Sequence, residues 1–449
     1  MSLLAKRFQR RLLGLAKLAM GLVAMFTIFL PQEAQAVPAF ARQTGQNCVA
    51  CHAGGQFPEL TPYGRMFKMT GYTIGERTIP LSVMGVASYA NVADTSKSAN
   101  PATDFYKNKT PIFATGSLFF AGKITDNIGG FAQITYDNYA SDNGDGSFSG
   151  HSNADNIDLR YANRVVDGKK EWVYGVSLNN NPSISDPWNT AAAWMQYVPV
   201  PSPSSHQFID GNAPYPGFGS GGNIAGITAY TYWNKTIYAE AGAYRTADNA
   251  FRLMSTGIDD SAITRLSGTN PYWRLAYTRE WGPHNLMIGT SGMVAHVYDG
   301  GTDPSDPANL GQFRNTGIDA QYQYLLDPHT VTAQLAYMQQ EQTYSDNAGG
   351  ASGLTDTNNV LRAKVSYVYQ AKYGGSLAYF NLTGTTNIQS DPATRGITYE
   401  AFWTPKQNIR IGAQYTAYGK FQGATDNYDG AGRNASDNNS LFLYAWFAY

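Results

Sequence analysis

The sequence predicts an all-β protein: a sixteen-stranded antiparallel transmembrane barrel preceded by a short segment built around one chemical motif. Three observations carry this. From about Leu81 to Tyr449, apolar and polar residues alternate with a period of two, the signature of strands with unlike faces. The connections between these runs are short and long by turns. The charged fraction is only 14%, while Gly numbers 46 and Tyr 31, a composition that suits short strands with one face on lipid.

The chain begins with a basic cluster, Lys6, Arg7, Arg10 and Arg11, followed by an apolar stretch from Leu12 to Leu30 and by Ala34 and Ala36 at small-residue positions. Residues 1–36 read as a secretory signal peptide. Lys17 interrupts the stretch and weakens the competing reading, a retained anchor. No later segment offers the 18 or more apolar residues of a membrane helix. Lys+Arg is 32 and Asp+Glu 33, so no basic excess points to nucleic acid.

The alternation is plain in three runs. In "TVTAQLAYM", Val331, Ala333, Leu335 and Tyr337 oppose Thr330, Thr332 and Gln334. In "GIDAQYQYL", Ile318, Ala320, Tyr322 and Tyr324 oppose Asp319, Gln321 and Gln323. In "LRAKVSYVY", Leu361, Ala363, Val365, Tyr367 and Tyr369 oppose Arg362, Lys364 and Ser366. Seven short turns are expected at 124–130, 166–170, 233–236, 281–285, 326–330, 370–375 and 404–408. Eight longer loops are expected near 93–112, 139–154, 180–221, 247–269, 299–312, 343–357, 387–395 and 421–437. Seven plus eight connections join sixteen strands over 81–449, with both ends on the short-turn side, the layout of a porin-like outer-membrane barrel. The final "LFLYAWFAY" alternates and stops on Tyr449, which resembles the C-terminal assembly signal of bacterial outer-membrane proteins. A soluble sandwich or propeller is the alternative. Such regular short–long alternation and the lack of a fixed-period repeat speak against it.

Residues 37–80 carry the chemistry. "GQNCVACHAGG" holds both cysteines of the chain, Cys48 and Cys51, with His52 next. Cys-x-x-Cys-His is the attachment motif of c-type haem: two thiols reach the two vinyl groups on one edge of the porphyrin, and the adjoining imidazole becomes the axial iron ligand. Export fits this, because such haem is attached in the periplasm. A thioredoxin-like redox pair requires a βαβ fold, and a disulfide across two residues closes too small a ring to stabilise much. The following "ELTPYGRMFKMTGYT" reads as a short helix with Thr61 as cap, Pro62 in its first turn and Gly71 at its end. Tyr63, Met66, Phe67 and Thr70 share a face, and Met66 or Met69 is a candidate sixth ligand, against ordinary apolar packing as the plainer role. His151, His206, His284, His296 and His329 read as surface residues of loops, turns or strand ends.

About 44 residues are too few to bury a haem and a core of their own, whereas a sixteen-stranded barrel has a wide lumen. The expectation is that the haem segment plugs the lumen from the periplasmic side. Arg362, Lys364, Glu240, Asp319 and Arg410 face that lumen, to pair with the segment or the haem propionates, or simply to line it.

"VPAFARQTGQNCVACH" followed by "FPELTPYGRMFKMTGYT" resembles the N-terminus of the outer-membrane iron-oxidising cytochrome–porin family, in which a monohaem cytochrome c is fused to a porin. The resemblance is close over about residues 37–75 and architectural beyond. It implies one covalent haem c on Cys48, Cys51 and His52, Fe(II) as donor at the cell surface and a periplasmic c-type cytochrome as acceptor, making the chain an iron oxidoreductase of the bacterial outer membrane. Aspartates in the loops (Asp142 and Asp145, Asp259 and Asp260, Asp303 and Asp306, Asp426 and Asp429) are hard oxygen donors that suit Fe(II), and equally are ordinary turn residues. Two alternatives are a cytochrome–porin serving another donor or acceptor, and a diffusion porin with a structural haem.

Overall fold

The computed structural model describes residues 38–55, 59–94, 108–142, 147–180, 182–188, 223–255, 265–298 and 305–449. The expected signal peptide, His206, Asp145, Asp259, Asp260 and Asp303 lie outside the described residues. Among the described residues sixteen long strands form one sheet. They are β1 (Leu81–Val92), β2 (Ile112–Lys123), β3 (Ile128–Asp142), β4 (Phe148–Asp167), β5 (Lys170–Asn179), β6 (Ile224–Trp233), β7 (Ile237–Thr246), β8 (Asn270–Trp281), β9 (His284–Tyr298), β10 (Leu310–Leu326), β11 (His329–Thr343), β12 (Thr355–Tyr369), β13 (Tyr373–Gly384), β14 (Thr394–Lys406), β15 (Ile409–Lys420) and β16 (Ser440–Ala448). A two-residue strand, Arg265–Leu266, adds a short ladder to the end of β9.

Each strand pairs antiparallel with its sequence neighbours, and β1 pairs with both β2 and β16, Met84 opposite Ala448 and Val92 opposite Ser440. The sheet is therefore a closed barrel with no free edge. All seven short turns fall where the sequence places them. One long connection differs: β3 runs on to Asp142 and β4 starts at Phe148, so strand occupies much of the expected 139–154 loop. Beyond a register shift after Asp137, backbone pairing of Ser141 with Ser149 and of Asp142 with Phe148 extends the ladder.

Burial is inverted relative to a water-soluble sheet. On β12, Val365 and Tyr367 are 52% and 44% exposed, while Arg362 and Lys364 are 4% and 5% exposed. Leu335, Leu377, Tyr399, Ile411 and Leu443 are likewise exposed, and Gln334, Glu400, Arg410 and Gln414 buried. Apolar side chains point out and polar ones in, as a barrel surrounded by lipid requires. Near the short turns the outer face carries Trp172, Trp233, Trp281, Tyr369, Tyr373 and Trp403, all exposed aromatics of the girdle type. His284 and His329 belong here too. Each starts a strand and bonds through Nδ1 to a tyrosine hydroxyl, Tyr322 at 2.7 Å and Tyr367 at 2.8 Å. His151 and His296 lie within β4 and β9.

Candidate functional site

Among its described residues, the segment before β1 holds three α-helices, α1 (Pro38–Thr44), α2 (Cys48–Cys51) and α3 (Pro62–Met69). The first is absent from the sequence expectation. Its Ala39 N–H donates to Ser82 Oγ on β1 at 2.9 Å, and Phe40 stacks on Tyr72 with centroids 5.2 Å apart. Gln43 closes the loop back: its Nε2 donates to the carbonyls of Tyr72 and Ile74, and its Oε1 accepts from Lys123 N–H at the end of β2.

α2 is one turn, so Cys48 and Cys51 stand on neighbouring positions of a helix and His52 follows at its end, with its N–H donating to the Cys48 carbonyl at 2.8 Å. A 3-10 turn over Ala53–Gly55 follows. His52 bridges Leu60, Ala53 N–H donates to the Glu59 carbonyl, and Thr61 N–H donates to the Cys51 carbonyl. α3 follows as predicted: Thr61 Oγ1 accepts from Gly64 N–H, Pro62 opens the first turn, and Gly71 takes a left-handed φ of 74° where the helix ends. α2 and α3 touch so closely that a Cβ on Gly64 would stand 2.2 Å from the Cys51 carbonyl oxygen. Only glycine fits there.

α3 is held on several sides. Arg65 donates to Gln323 Oε1 at 2.9 Å and to Gln321 Oε1 at 3.3 Å, both on β10. Lys68 Nζ donates to the Asp186 carbonyl at 3.0 Å. Tyr230 OH donates to the Met69 carbonyl, and Tyr72 OH donates to Asp158 Oδ2 at 2.6 Å. Met69 is buried with Trp188, Tyr230, Tyr232 and Tyr238, and Met66 packs on the margin of that cluster. This is apolar packing that a thioether provides without iron. Of the four residues expected to share a face, Tyr63 is 37% exposed while Phe67 and Thr70 are buried.

Of the five lumen residues named from sequence, all are buried. Lys364 reaches the segment, its Nζ 2.8 Å from Glu59 Oε1. The other pairings described are with the wall: Arg410 with Glu400 at 3.2 Å, Asp319 with Arg274 at 2.7 Å, and Glu240 with Tyr238 OH at 2.9 Å. Sequence reading missed the partners Glu59, Asp158, Arg160, Asp186 and Arg274. The inward positions of "NIDLRYA" and "YWRLAY" were the available signal, charged residues alternating with apolar ones.

The long connection after β5 supplies a second occupant of the interior. Residues 182–188, including the short helix α4 (Pro182–Ser185), are all buried. Asp186 pairs with Arg274 at 3.2 Å, the Ser185 carbonyl accepts from Arg160 Nη2 at 2.8 Å, and the Trp188 carbonyl accepts from Gln321 Nε2 at 3.1 Å. The first part of this proline-rich loop therefore folds against the inner wall beside α3.

Burial first, and then the nearness of Cys48, pushes the Cys51 thiol up to about 12. A thioredoxin-type pair sits in a βαβ fold, and this segment precedes an antiparallel barrel with no such unit among the described residues. The residues do fit a c-type haem: two thiols one helical turn apart and an adjacent imidazole. Of the loop aspartates, Asp306 and Asp429 accept backbone N–H groups within their own turns. That is turn chemistry.

No family model matches the chain, and no curated protein matches it. Solved structures similar to it include the outer membrane channel DcaP of Acinetobacter baumannii, at 14% identity over 82% of this chain and 96% of that one, with a TM-score of 0.45. OmpF of Salmonella typhi, in complex with daunomycin, is similar at 12% identity over 82% and 97%, with a TM-score of 0.45. An anion-selective porin from Comamonas acidovorans is similar at 12% identity over 82% and 99%, with a TM-score of 0.42.

Proposed function

We propose that the chain is an outer-membrane electron-transfer protein that takes one electron from soluble Fe(II) at the cell surface and delivers it to a periplasmic c-type cytochrome. One observation carries the reading: the Cys48–Cys51–His52 set lies in a segment that packs against the buried, inward positions of an apolar-skinned barrel. Haem c, held by thioethers to Cys48 and Cys51 and by the His52 imidazole, supplies a one-electron Fe(III)/Fe(II) couple when bound.

The chain's own residues do the rest. The apolar outer face and aromatic girdle hold the barrel in lipid. Cys48 N–H donates to Gln407 Oε1 at 3.3 Å, in the short turn between β14 and β15. With short turns facing the periplasm, as in outer-membrane barrels, the motif is then reached from the periplasmic side, and the segment acts as a plug. α3 and residues 182–188 exclude water from the interior around it. Keeping the oxidation at the outer mouth leaves insoluble Fe(III) outside the cell.

The test is a visible spectrum of the purified, air-oxidised protein in detergent. Fe(II) added without oxygen sharpens the bands to those of reduced c-type haem. If dithionite reduces the haem and Fe(II) does not, another donor replaces iron in this reading. The competing diffusion porin predicts steady conductance in planar bilayers, and a plugged barrel predicts almost none.

A further inference from the structure

The aromatic girdle contains a cluster that differs from the apolar skin around it. On β8, Arg279 stands on the outward side between Tyr277 and Trp281 and is exposed like both of them. Glu280 falls on the other side of the strand by alternation. The Arg279 guanidinium lies over the Trp281 ring, 5.6 Å from the centroid, and pairs with no carboxylate among the described residues. Trp281 in turn stacks on the His284 imidazole with centroids 5.3 Å apart, and His284 Nδ1 lies 2.7 Å from the Tyr322 hydroxyl. Guanidinium, indole and imidazole thus form one continuous stack at the turn between β8 and β9.

The barrel holds its own control. His284 sits opposite Tyr324, and Leu286 opposite Tyr322. His329 sits opposite Tyr369, and Val331 opposite Tyr367, whose hydroxyl is 2.8 Å from His329 Nδ1. The two histidine–tyrosine frames are therefore alike. They differ on the preceding strand. Trp281 and Arg279 stand opposite His284 and Leu286, whereas Leu326 and Tyr324 stand opposite His329 and Val331. A histidine–tyrosine pair at the water boundary is ordinary girdle chemistry. The added arginine is not. A cation on the lipid face is tolerated near the interface, but it adds nothing to apolar contact, and the protein places no opposite charge against this one.

We propose that Arg279, Trp281 and His284 form a headgroup site for the phosphodiester of one phospholipid in the periplasmic leaflet. With short turns facing the periplasm, the cluster lies at headgroup level, where phosphate is the anion that the bilayer itself holds in place. The guanidinium fork matches two phosphate oxygens at once. In the tautomer where Tyr322 donates to His284 Nδ1, Nε2 carries a proton and supplies a further donor. Stacking on Trp281 limits the freedom of the Arg279 side chain before the lipid arrives, so less is lost on binding. The acyl chains run along the apolar skin past Tyr277, Leu275 and Ile288, all exposed. The site rests on the barrel and its orientation alone and holds whether or not the motif carries haem.

The experiment is native mass spectrometry of the full-length protein in detergent, titrated with phosphatidylglycerol and, separately, with diacylglycerol of the same chains. The parent retains phosphatidylglycerol and releases diacylglycerol, which lacks the phosphate. Arg279→Gln weakens retention about tenfold, the scale of one lost charge-assisted bond. Arg279→Lys, which keeps the charge without the fork, falls between the two. His329→Ala matches the parent. Heat-modifiable migration on gels shows that each variant is folded; if Arg279→Gln does not fold, Arg279→Lys and Trp281→Leu carry the test, each expected to retain less lipid than the parent. The proposal is overturned if the folded variants retain the lipid as the parent does, or if His329→Ala weakens it as much as Arg279→Gln. Displacement of the lipid by millimolar inorganic phosphate overturns it in favour of a free-anion site. A parent dimer that Arg279→Gln separates overturns it in favour of a contact between two copies of the chain.

Discussion

The N-terminal segment divides into two halves that meet the barrel differently. The motif half, residues 45–55, is partly exposed, with Val49 at 38%, and reaches the wall at the turn holding Gln407. The anchor half, from Glu59 through Tyr72, is tied by buried hydrogen bonds and ion pairs to β4, β6, β10 and β12. The contrast separates two jobs. In the proposed reading, chemistry that needs a cofactor and an approach for a partner sits in the half that stays open. Placement is left to the half that is closed, where desolvated pairs give each contact a defined partner.

Changes in the two halves therefore have different consequences. The largest is expected in the motif: Cys48→Ala with Cys51→Ala abolishes covalent haem, read as loss of haem staining on a denaturing gel, while α3 keeps its protection from hydrogen exchange. Loss of that protection would show that the anchor depends on the cofactor. Next is the junction. Lys364→Met strands the buried Glu59 carboxylate and costs segment docking about 3–5 kcal/mol, as breaking one side of a buried pair does. Adding Glu59→Gln recovers most of it. If the double variant is as loose as the single one, the pair is not what holds the junction. Smaller is Tyr72→Phe, which removes a bond to the Asp158 carboxylate and costs about 1.5–3 kcal/mol, checked by the same exchange measurement.

The smallest effects are those of pH. Burial pushes the Glu59 carboxyl up, but Lys364, through charge and hydrogen bond, and then Arg410 outweigh it and leave it below its ordinary value. A depressed carboxyl stabilises docking above its unfolded value of about 4.3, and that contribution is lost as pH falls through the lower folded value. Lys68 gives a slope of the same sign at the alkaline end. Burial, with Arg160 adding, lowers it from 10.5 to about 8. Between these values the undocked segment binds more protons, so docking strengthens as pH rises from about 8 to about 10.5. Lys68→Gln flattens this rise. An unchanged slope in that variant would assign the effect to other groups.

Much of this architecture was legible because barrel strands announce themselves locally. Val365 and Tyr367 against Arg362 and Lys364 are two faces of one strand whatever surrounds it, and turn length alone sorts the two ends of the barrel. The Cys48–His52 spacing is legible for the same reason: its residues are adjacent, and the chemistry they suit follows from their order. The cap at Thr61 and the stop at Gly71 are local as well.

The pairings inside were not legible. Nothing in "LRAKVSY" says that Lys364 meets Glu59, 305 residues earlier, while Arg410 meets Glu400 ten residues away. Nor does a proline-rich loop say that Asp186 will turn inward to Arg274. Strand periodicity states which way a side chain points and leaves open what it will find there. That is decided when the sheet closes and brings β4, β8, β12 and β15 around one lumen, where low dielectric makes each buried charge select a partner. Sequence alone determined the wall and the motif; closure of the barrel decided how the segment is seated.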